Sequence, residues 1–299
     1  MSLLVVGSVA LDTVRTPHGR IEEGLGGSAT YFSVAAGMFR PVRLVAVVGE
    51  DFPGRHVRFL VSRGVDVRGL ERAAGRTFRW TGEYTGDMNQ AETLRTELNV
   101  FASFRPKIPD AYRKSRDVFL ANIDPDLQAE VLDQMVNPRL VGCDTMNYWI
   151  ESKRSAVKKL LRRVHFLLVN EAEARQLAGE ENLIKAARAL LRMGPGAVVV
   201  KRGEYGALLF RECSMCWVPA YPLECVRDPT GAGDSFAGGF MGYLSRCRAV
   251  GEREMRKALA FGSVLASFCV EGFSLRRLGR VRAEELHARY RTFRELTRF

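Results

Sequence analysis

The chain is short of cysteine, of long apolar runs, and of acidic residues to balance its basic ones. Six cysteines in 299 residues do not suggest the disulfide framework of a small secreted domain. No apolar run approaches the ~18 residues that a membrane-spanning helix requires. The start of the chain, MSLLVVGSVALD, lacks the basic segment of a signal peptide. We therefore expect a globular protein of the cytoplasm with no membrane partner.

The excess of basic residues is an unusual feature of the composition. Lys and Arg total 45 against 34 for Asp and Glu, a formal net charge of +11, and many arginines fall late, in residues 274–299. Such a surface attracts nucleic acid, a membrane or an anionic small molecule. Alternatively, it is a solvated helix face with Glu284, Glu285 and Glu295 interspersed. No nucleic-acid recognition motif accompanies the charge, so we favour the solvated face.

Two of the cysteines, Cys213 and Cys216 in CSMC, have the CxxC spacing of metal and redox sites. No second pair follows, the histidines are scattered, and a tetrahedral metal site needs more ligands than this pair supplies. A redox CxxC usually opens a helix after a strand, whereas CSMC lies in a predicted hairpin between GALLF and WVPAY. We expect free thiols that are buried or half-buried.

Strand and helix patterns alternate along most of the chain. LLVVGSVALD is an apolar run typical of a buried parallel strand, and GGSATYFSVAAGMFR has helical spacing. VRLVAVVGEDFPG and GRHVRFLVSRGV repeat the pair. This alternation predicts an α/β fold with a doubly wound, mostly parallel sheet flanked by helices. We expect residues 1–299 to form a single domain of this kind.

The pattern changes between residues 76 and 104. In TFRWTGEY, Phe78, Trp80 and Gly82 share one side, and TELNVFASF looks like the partner strand. Such alternation is typical of a half-exposed antiparallel sheet. Together with residues 13–22, this segment predicts a small antiparallel β-lid inserted in the domain.

The stretch RDPTGAGDSFAGGF, residues 227–240, concentrates glycines around the start of a small-residue run. It lacks the GxxxxGK[ST] of a Walker A loop, and it matches neither the spacing nor the early position of a dinucleotide GxGxxG. A tight turn at a helix N-terminus fits better, because its free N–H groups and the helix dipole favour an anion. Glycine lets a phosphate approach the backbone with no Cβ in the way.

Asp234 lies beside this predicted anion site. A negative carboxylate weakens phosphate binding there, so binding alone does not explain it. It makes sense as a base that accepts the proton of an attacking hydroxyl, while backbone amides stabilise charge on a transferred phosphoryl group. The alternative is a helix with Asp near its N-terminus and small residues for packing.

DPTGAGDSFAGGF resembles the C-terminal signature of the ribokinase-like (PfkB) carbohydrate kinases, a highly specific pattern. GSVALD with GGSATYFSVAAG, VNEAEARQLAG, and VVVKRGEYGALLF resemble further motifs of that family, in the family's order. The resemblance implies a doubly wound α/β domain with a β-lid over the acceptor. It also implies transfer of the γ-phosphate of ATP, with Mg²⁺, to a primary hydroxyl of a small sugar or ribonucleoside.

The resemblance further implies roles for individual residues. For catalysis it implies Asp234 as the base and an anion hole built by Gly231, Ala232 and Gly233. For the acceptor it implies Asp12, Gly26 and Gly27. For Mg²⁺, held through water, and for the phosphates it implies Asn170 and Glu173. For the border of the nucleotide it implies Lys201, Gly203, Gly206 and Gly272. Asp228 and Thr230 match positions that in some members contribute to a monovalent cation site, here for K⁺.

Some of these roles also follow from the residues alone. Asp12 follows a strand end, where open α/β sheets bind ligands, and its two oxygens suit two adjacent sugar hydroxyls. Asn170 and Glu173 follow the apolar strand FLLV at the same edge of the sheet. The alternative for this pair is an N-cap with a capping-box glutamate, and both roles are compatible.

The chain departs from the family pattern in the acceptor region. Tyr31 stands where the family often has Asn, and Ala10 where sugar kinases often have a polar residue. We therefore expect a more apolar and aromatic pocket than in a simple pentose kinase, which keeps a ribonucleoside acceptor open. Among the lid aromatics we assign Phe101 to the acceptor. The lid aromatics stack on a base or sugar face, or they form the core of the lid or a dimer contact: Phe78, Trp80, Phe101 and Phe104.

Other functions and partners stay open at this point. A phosphosugar acceptor needs extra cations, and the candidates Arg79 and Arg95 are expected to face solvent. A non-catalytic binding protein would engage nucleic acid through the basic C-terminal surface, but it would have no need of Asp234 beside an anion hole. An exposed apolar face of the lid predicts a homodimer that covers it, unless the lid closes on its own domain.

Overall fold

Short apolar runs rich in β-branched residues form most of the strands, as their patterns predict. The computed structural model describes residues 2–86 and 88–298. The strands are β1 (Leu3–Val6), β2 (Ala10–Thr16), β3 (Gly19–Gly26), β4 (Val42–Gly49), β5 (Val65–Ala73), β6 (Arg79–Tyr84), β7 (Ala91–Glu97), β8 (Asp117–Leu120), β9 (Leu140–Asp144), β10 (Phe166–Asn170), β11 (Ala197–Lys201), β12 (Ala207–Phe210) and β13 (Met215–Val218). The α-helices are α1 (Ser28–Gly37), α2 (Gly54–Ser62), α3 (Asp110–Arg113), α4 (Pro125–Asp133), α5 (Asn147–Ser152), α6 (Arg154–Leu161), α7 (Glu171–Ala178), α8 (Leu183–Arg192), α9 (Ala232–Arg246), α10 (Glu252–Val270) and α11 (Ala283–Leu296).

Nine of these strands form one sheet in the spatial order β13-β12-β11-β10-β9-β8-β1-β4-β5. Neighbours from β11 to β5 run parallel, and the pairs made by β12 are antiparallel. Each face of the sheet is covered by its own apolar core, one containing Phe119 and Phe240 and the other Leu120 and Leu167. The predicted doubly wound α/β architecture is confirmed, and such sheets bind ligands at the carboxyl ends of their strands.

The first predicted strand, LLVVGSVALD, is divided in two. β1 ends at Val6 in the large sheet, and β2 begins at Ala10 in a second, smaller sheet. The break contains Gly7, where a Cβ would lie 2.7 Å from the Cβ of Ala121, closer than two carbon atoms pack. The polar end of this run, Asp12, consequently belongs to the smaller sheet.

The smaller sheet is the predicted lid, with the strand order β3-β2-β6-β7. β2/β3 and β6/β7 are antiparallel, whereas β2 and β6 run parallel. The lid strands occupy residues 10–26 and 79–97, so they start before the expected segment and include Asp12. Asp12 is in register with Trp80 on β6, and both side chains therefore face the same side of the lid.

The predicted strand TELNVFASF ends early. β7 stops at Glu97, and residues 99–103 form a 3₁₀ helix. Asn99 has a φ of 49°, a left-handed conformation that asparagine tolerates and that an extended strand cannot include. Phe101 therefore lies at the base of the lid, where its ring stacks between those of Phe78 (centroids 5.2 Å apart) and Phe104 (5.8 Å).

A carboxylate in the loop after β4 anchors the base of the lid. Asp51 accepts hydrogen bonds from the amide (2.8 Å) and the hydroxyl (2.6 Å) of Thr77, and it pairs with Arg79 (2.8 Å). Arg79 also pairs with Glu23 on β3 (3.0 Å). The expectation that Arg79 faces solvent is wrong, because its side chain is only 12% exposed, whereas that of Arg95 is 69% exposed.

Helices α1 and α9 approach each other unusually closely. A Cβ on Gly238 would lie 2.5 Å from the carbonyl oxygen of Phe32, and one on Gly242 would lie 2.9 Å from the Cα of Ala36. Backbones come this close only where glycine removes the side chain between them. The contact brings the first turn of α1 next to the first turn of α9.

The hairpin of β12 and β13 surrounds CSMC as predicted. Both cysteines are free and Cys216 is half-buried, as expected, but the expectation is wrong for Cys213, which is exposed because it lies in the turn between β12 and β13. Within residues 2–86 and 88–298, no three His, Cys, Asp or Glu side chains cluster as ligands of a metal ion. In the same part of the chain, none of the helices combines the length and the apolar character needed to cross a membrane.

Replacing Gly238 with alanine tests the close contact of α1 and α9. Alanine gains about 1 kcal/mol of helix propensity over glycine, whereas overpacking typically costs about 1–3 kcal/mol. Since the new Cβ would meet rigid backbone, we expect a cost toward the upper end of this range. Gly238→Ala should therefore lower the free energy of unfolding by about 1–2 kcal/mol, measured by urea titration.

The matched control is Gly54→Ala in α2, where the nearest atom would be 3.5 Å away at the end of the flexible Arg58 side chain. This variant should not lose stability. A Gly238→Ala protein as stable as the control would contradict a rigid α1/α9 contact.

Candidate active site

Polar side chains from several elements meet at the carboxyl-terminal edge of the large sheet. Asp144 ends β9, Asn170 ends β10 and Lys201 ends β11. Asp12 reaches this region from β2, and Asp234 reaches it from the first turn of α9. The charge of Asp234 contributes to the raised pKa of both Asp12 and Asp144. The charge on Asp234 therefore influences the pKa values of carboxyls from two other elements.

The turn before α9 offers backbone amides to an anion. Gly231 caps the helix with a φ of 76°, in the left-handed region. The amide of Ala232 donates to the carbonyl of Pro229 (3.0 Å) and is used within the turn. In the described part of the chain, the amides of Gly233 and Asp234 have no acceptor. These two N–H groups lie at the positive end of the helix dipole, where anions bind.

A tyrosine ring lies directly on Gly231. A Cβ at this glycine would overlap Cγ, Cδ1 and Cδ2 of Tyr31. Tyr31 belongs to the first turn of α1 and is 1% exposed. Position 231 therefore needs glycine for two reasons, the left-handed φ and the ring that covers it.

The carboxyl of Asp234 is suited to accepting a proton. Burial raises its pKa to about 6, and the ammonium of Lys201 opposes the rise. The group is thus mostly ionised at neutral pH and still basic. A pKa close to the working pH is what an efficient general base requires.

Lys201 places a positive charge next to the amide turn. A Cβ on Gly233 would lie 3.1 Å from the Nζ of Lys201. Burial raises the pKa of Asp144, Glu173 and Asp234, and the Lys201 ammonium opposes each of these rises. A single lysine thus compensates three carboxyls and borders the site where an anion would bind.

Asp144 is a residue that the sequence patterns did not single out. Burial raises the pKa of this carboxyl well above its usual range, and its Oδ1 has no hydrogen-bond partner among the described residues. The buried side chain of Gln128 donates to the backbone carbonyls of Asp144 (3.1 Å), Leu120 (3.1 Å) and Ala121 (3.0 Å), which fixes the ends of β8 and β9. One signal was available, because Asp144 directly follows an apolar strand, as Asn170 does.

Asn170 and Glu173 form the capping box of α7. The amide of Glu173 donates to Oδ1 of Asn170 (2.8 Å), and the amide of Asn170 donates to Oε2 of Glu173 (2.8 Å). The prediction of an N-cap with a capping-box glutamate is therefore confirmed. The capping box uses one oxygen of the Glu173 carboxylate, so it does not exclude a second role toward a ligand.

Asp12 is held among glycines on the lid side of the site. A Cβ on Gly26 would overlap its carboxylate, and the backbone of Gly27 lowers its pKa against the larger effect of burial. Burial raises the pKa of Asp12 to about 7, and the charges of Asp228 and Asp234 add to the rise. The glycine pair thus lets β3 and the start of α1 close tightly around a carboxyl that is 6% exposed.

Asp228 and Thr230 connect the amide turn to the lid. Asp228 accepts hydrogen bonds from the amides of Thr230 (2.9 Å) and Ser274 (3.0 Å). The hydroxyl of Ser274 donates to the carbonyl of Leu25 on β3 (2.5 Å). Both oxygens of Asp228 are therefore engaged by backbone amides, and the monovalent cation site stays a prediction.

The remaining predicted residues lie around this centre. Gly203 and Gly206 flank the turn after β11, with φ of 53° and 85°, and Gly272 follows the end of α10. Phe101 lies in the ring stack at the base of the lid, between Phe78 and Phe104. The roles of these four residues toward a nucleotide or an acceptor stay predictions.

Comparison with known proteins identifies the family. The sequence profile of the pfkB family carbohydrate kinases matches residues 2–277. A cytidine kinase of Thermococcus kodakarensis is 31% identical over 257 residues, which are 84% of this chain and 91% of that protein.

Solved structures share the fold at lower identity. The nucleoside kinase of Methanocaldococcus jannaschii, an archaeal member of the ribokinase family, superposes with a TM-score of 0.78 at 19% identity, over 97% of this chain and 98% of that one. An E. coli protein assigned as ribokinase II, in complex with ATP and Mg²⁺, superposes with a TM-score of 0.81 at 16% identity, over 97% and 99%. Since the family profile spans nearly the whole chain, the protein belongs to the pfkB family of carbohydrate kinases and is a kinase with the ribokinase fold.

Proposed function

We propose that the protein transfers the γ-phosphate of ATP to a primary hydroxyl of a ribonucleoside or small sugar, with Asp234 as the general base. The observation that carries the proposal is two carboxyls with raised pKa values, the buried Asp12 and the half-buried Asp234, in a site that also contains a helix turn with free amides. The 31% identity to a cytidine kinase favours a ribonucleoside over a free sugar.

In this proposal the acceptor oxygen bonds to the γ-phosphorus while its proton moves to Asp234, and the bond from that phosphorus to the bridging oxygen breaks so that ADP leaves. The hydroxyl is a poor nucleophile while protonated, and a carboxylate with a pKa of about 6 can take the proton during the attack. The free amides of Gly233 and Asp234 would stabilise the charge that spreads over the transferred phosphoryl oxygens. The ammonium of Lys201 would face the same oxygens from beside Gly233.

Mg²⁺ accompanies ATP in the kinase reaction, and the polar groups at the strand ends fit this ion. Mg²⁺ commonly takes one or two carboxylates together with substrate phosphates and water. Asp144 has a buried oxygen without a hydrogen bond, and Glu173 lies in the field of the same lysine. Asp144, Glu173 and Asn170 would hold the ion, in part through water, and the ion would neutralise phosphate charge.

The acceptor would lie under the lid. Asp12 and Trp80 face the same side of the lid sheet, so a carboxylate for sugar hydroxyls and an aromatic ring for a base are presented together. A phosphosugar acceptor is less favoured, because Arg79 is already paired with Asp51 and Glu23 and Arg95 is largely exposed.

Asp234→Asn removes the base and keeps the size of the side chain. We expect turnover to fall about 10²- to 10⁴-fold, the usual contribution of a general base, while ATP binding is retained. Turnover is measured as ADP release with Mg-ATP against a panel of ribonucleosides, free sugars and phosphosugars, and ATP binding is measured by calorimetry. Asp110→Asn, at a side chain that is 92% exposed, is the control. Unchanged turnover in Asp234→Asn would exclude this base.

The pH dependence follows from the two raised carboxyl pKa values. Since Asp12 and Asp234 must both be ionised, kcat/KM should fall as pH drops through about 7 and about 6. Lys201→Met removes the charge that opposes the rise at Asp234, so the acid limb should move to higher pH. Lys201→Arg keeps the charge and should leave the limb in place. The titration of ATP itself is the same in every assay. An acid limb that does not move in Lys201→Met would therefore contradict the effect of Lys201 on the pKa of Asp234.

The two glycines of the amide turn should respond differently to alanine. Gly231→Ala forces alanine into a left-handed φ, at about 1–2 kcal/mol, and drives its Cβ into the Tyr31 ring. We expect a lower melting temperature and loss of most turnover. Gly233→Ala meets only the mobile end of Lys201, 3.1 Å away, and should melt like the wild type. Equal melting temperatures for the two variants would show that the turn relaxes around Tyr31.

A further inference from the structure

The tip of the lid touches a turn of the large domain. Asn89 lies between β6 and β7, and its side-chain amide donates to Oε1 of Glu204 (3.2 Å). A Cβ on Gly203 would overlap Oδ1 of Asn89, so the same side chain also rests directly on this glycine. Glu204 belongs to the 3₁₀ turn Gly203–Tyr205, which follows β11 after one residue. The lid therefore contacts the segment that continues from the strand ending in Lys201.

This turn is fixed relative to the polar centre of the site. The amide of Arg202 donates to the carbonyl of Gly206 (2.8 Å), and the amide of Gly206 donates to the carbonyl of Gly203 (3.1 Å). The guanidinium of Arg202 donates to Glu171 (2.5 Å), the first residue of α7. Because the main chain from Lys201 to Gly206 is closed by its own hydrogen bonds, a contact on the turn also restrains the strand end that carries Lys201.

The lid tip is linked in turn to the acceptor side of the site. Asp12 on β2 is in register with Trp80 on β6, and β6 leads to the tip that contains Asn89. At the end of β6, the hydroxyl of Tyr84 accepts a hydrogen bond from the hydroxyl of Thr230 (3.3 Å), just before α9. The position of the Asp12 strand and the position of the tip are therefore connected through one backbone ladder.

We infer that Asn89 and Glu204 are positioning residues that couple the two substrates, by fastening the acceptor lid to the turn beyond Lys201. This inference rests on the proposed function, with the acceptor under the lid, and on the prediction that Gly203 borders the nucleotide. An acceptor that holds the lid over the site brings Asn89 to the turn, and a nucleotide that orders the turn presents Glu204 to the lid. Each substrate then lowers the cost of forming the contact for the other, and such coupling is reciprocal.

Exchanging the two polar groups tests the contact. Asn89→Asp removes the donor and sets a carboxylate against Glu204, which breaks the bond and adds repulsion. Adding Glu204→Gln to the same chain restores a donor opposite the new carboxylate, since glutamine carries an NH₂ group. Calorimetry measures the Kd of a non-hydrolysable ATP analogue with Mg²⁺ for each protein. The titration is made with and without a saturating amount of the ribonucleoside that gives the fastest ADP release.

We expect the ribonucleoside to tighten analogue binding by wild type, and the tightening to be about 3- to 10-fold smaller in Asn89→Asp, the range of one hydrogen bond. The double variant Asn89→Asp/Glu204→Gln should recover most of the tightening. A side chain that served only the stability of the lid would change the melting temperature and would not respond to the exchange of partners.

Gln90→Glu is the matched control, because it adds the same charge at the next, exposed residue of the lid turn. It should bind the analogue alone as Asn89→Asp does and keep the tightening of wild type. Tightening that is absent from wild type, unchanged in Asn89→Asp or not recovered in the double variant would overturn this role and leave the kinase proposal intact. A wild type that binds the analogue but phosphorylates no ribonucleoside or sugar would overturn the proposed function and the coupling together.

Discussion

The close approach of α1 and α9 is the constraint on which the site depends. Both helices begin at the edge of the large sheet, and glycines such as Gly238 allow backbone to meet backbone between them. Only at this separation does the Tyr31 ring rest on Gly231. These small residues therefore set the distance between the first turn of α1 and the amide turn before α9.

Acidic groups outnumber basic groups among the residues that influence one another in the site. Three carboxyls, Asp144, Glu173 and Asp234, share the ammonium of Lys201, and burial raises the pKa of each. An aspartate with a raised folded pKa binds its proton more tightly in the folded than in the unfolded chain, whose pKa is about 4. Asp234 therefore lowers folding stability as pH rises from about 4 through about 6. A bound cation would relieve this penalty, so the folded chain is least compensated at this group of carboxyls.

The sequence predicted what depends on local order and missed what depends on distant pairing. The alternating strand and helix patterns predicted the α/β fold and the lid, because the spacing of apolar residues can be read from neighbouring positions in the chain. Asp234 could be singled out since its glycine turn is contiguous. The burial of the Arg79 side chain could not be predicted, because its partner Asp51 lies in another loop. Asp144 carried only a weak signal, and its importance appears once burial leaves one oxygen unpaired. Phe101 was predicted to lie in a strand and does not, because Asn99 adopts a left-handed φ. Strand propensity alone does not reveal this.

The lid is assembled from two separate stretches of chain, residues 10–26 and 79–97, and this has a consequence for how such enzymes diverge. One crossover beyond residue 97 exchanges both stretches together, and Asp12 and Gly26 go with them. The amide turn and Asp234 lie far along the chain and are inherited separately. Under the proposed function, acceptor choice would change with the N-terminal segments, while the residues assigned to phosphoryl transfer are passed on separately in the C-terminal half.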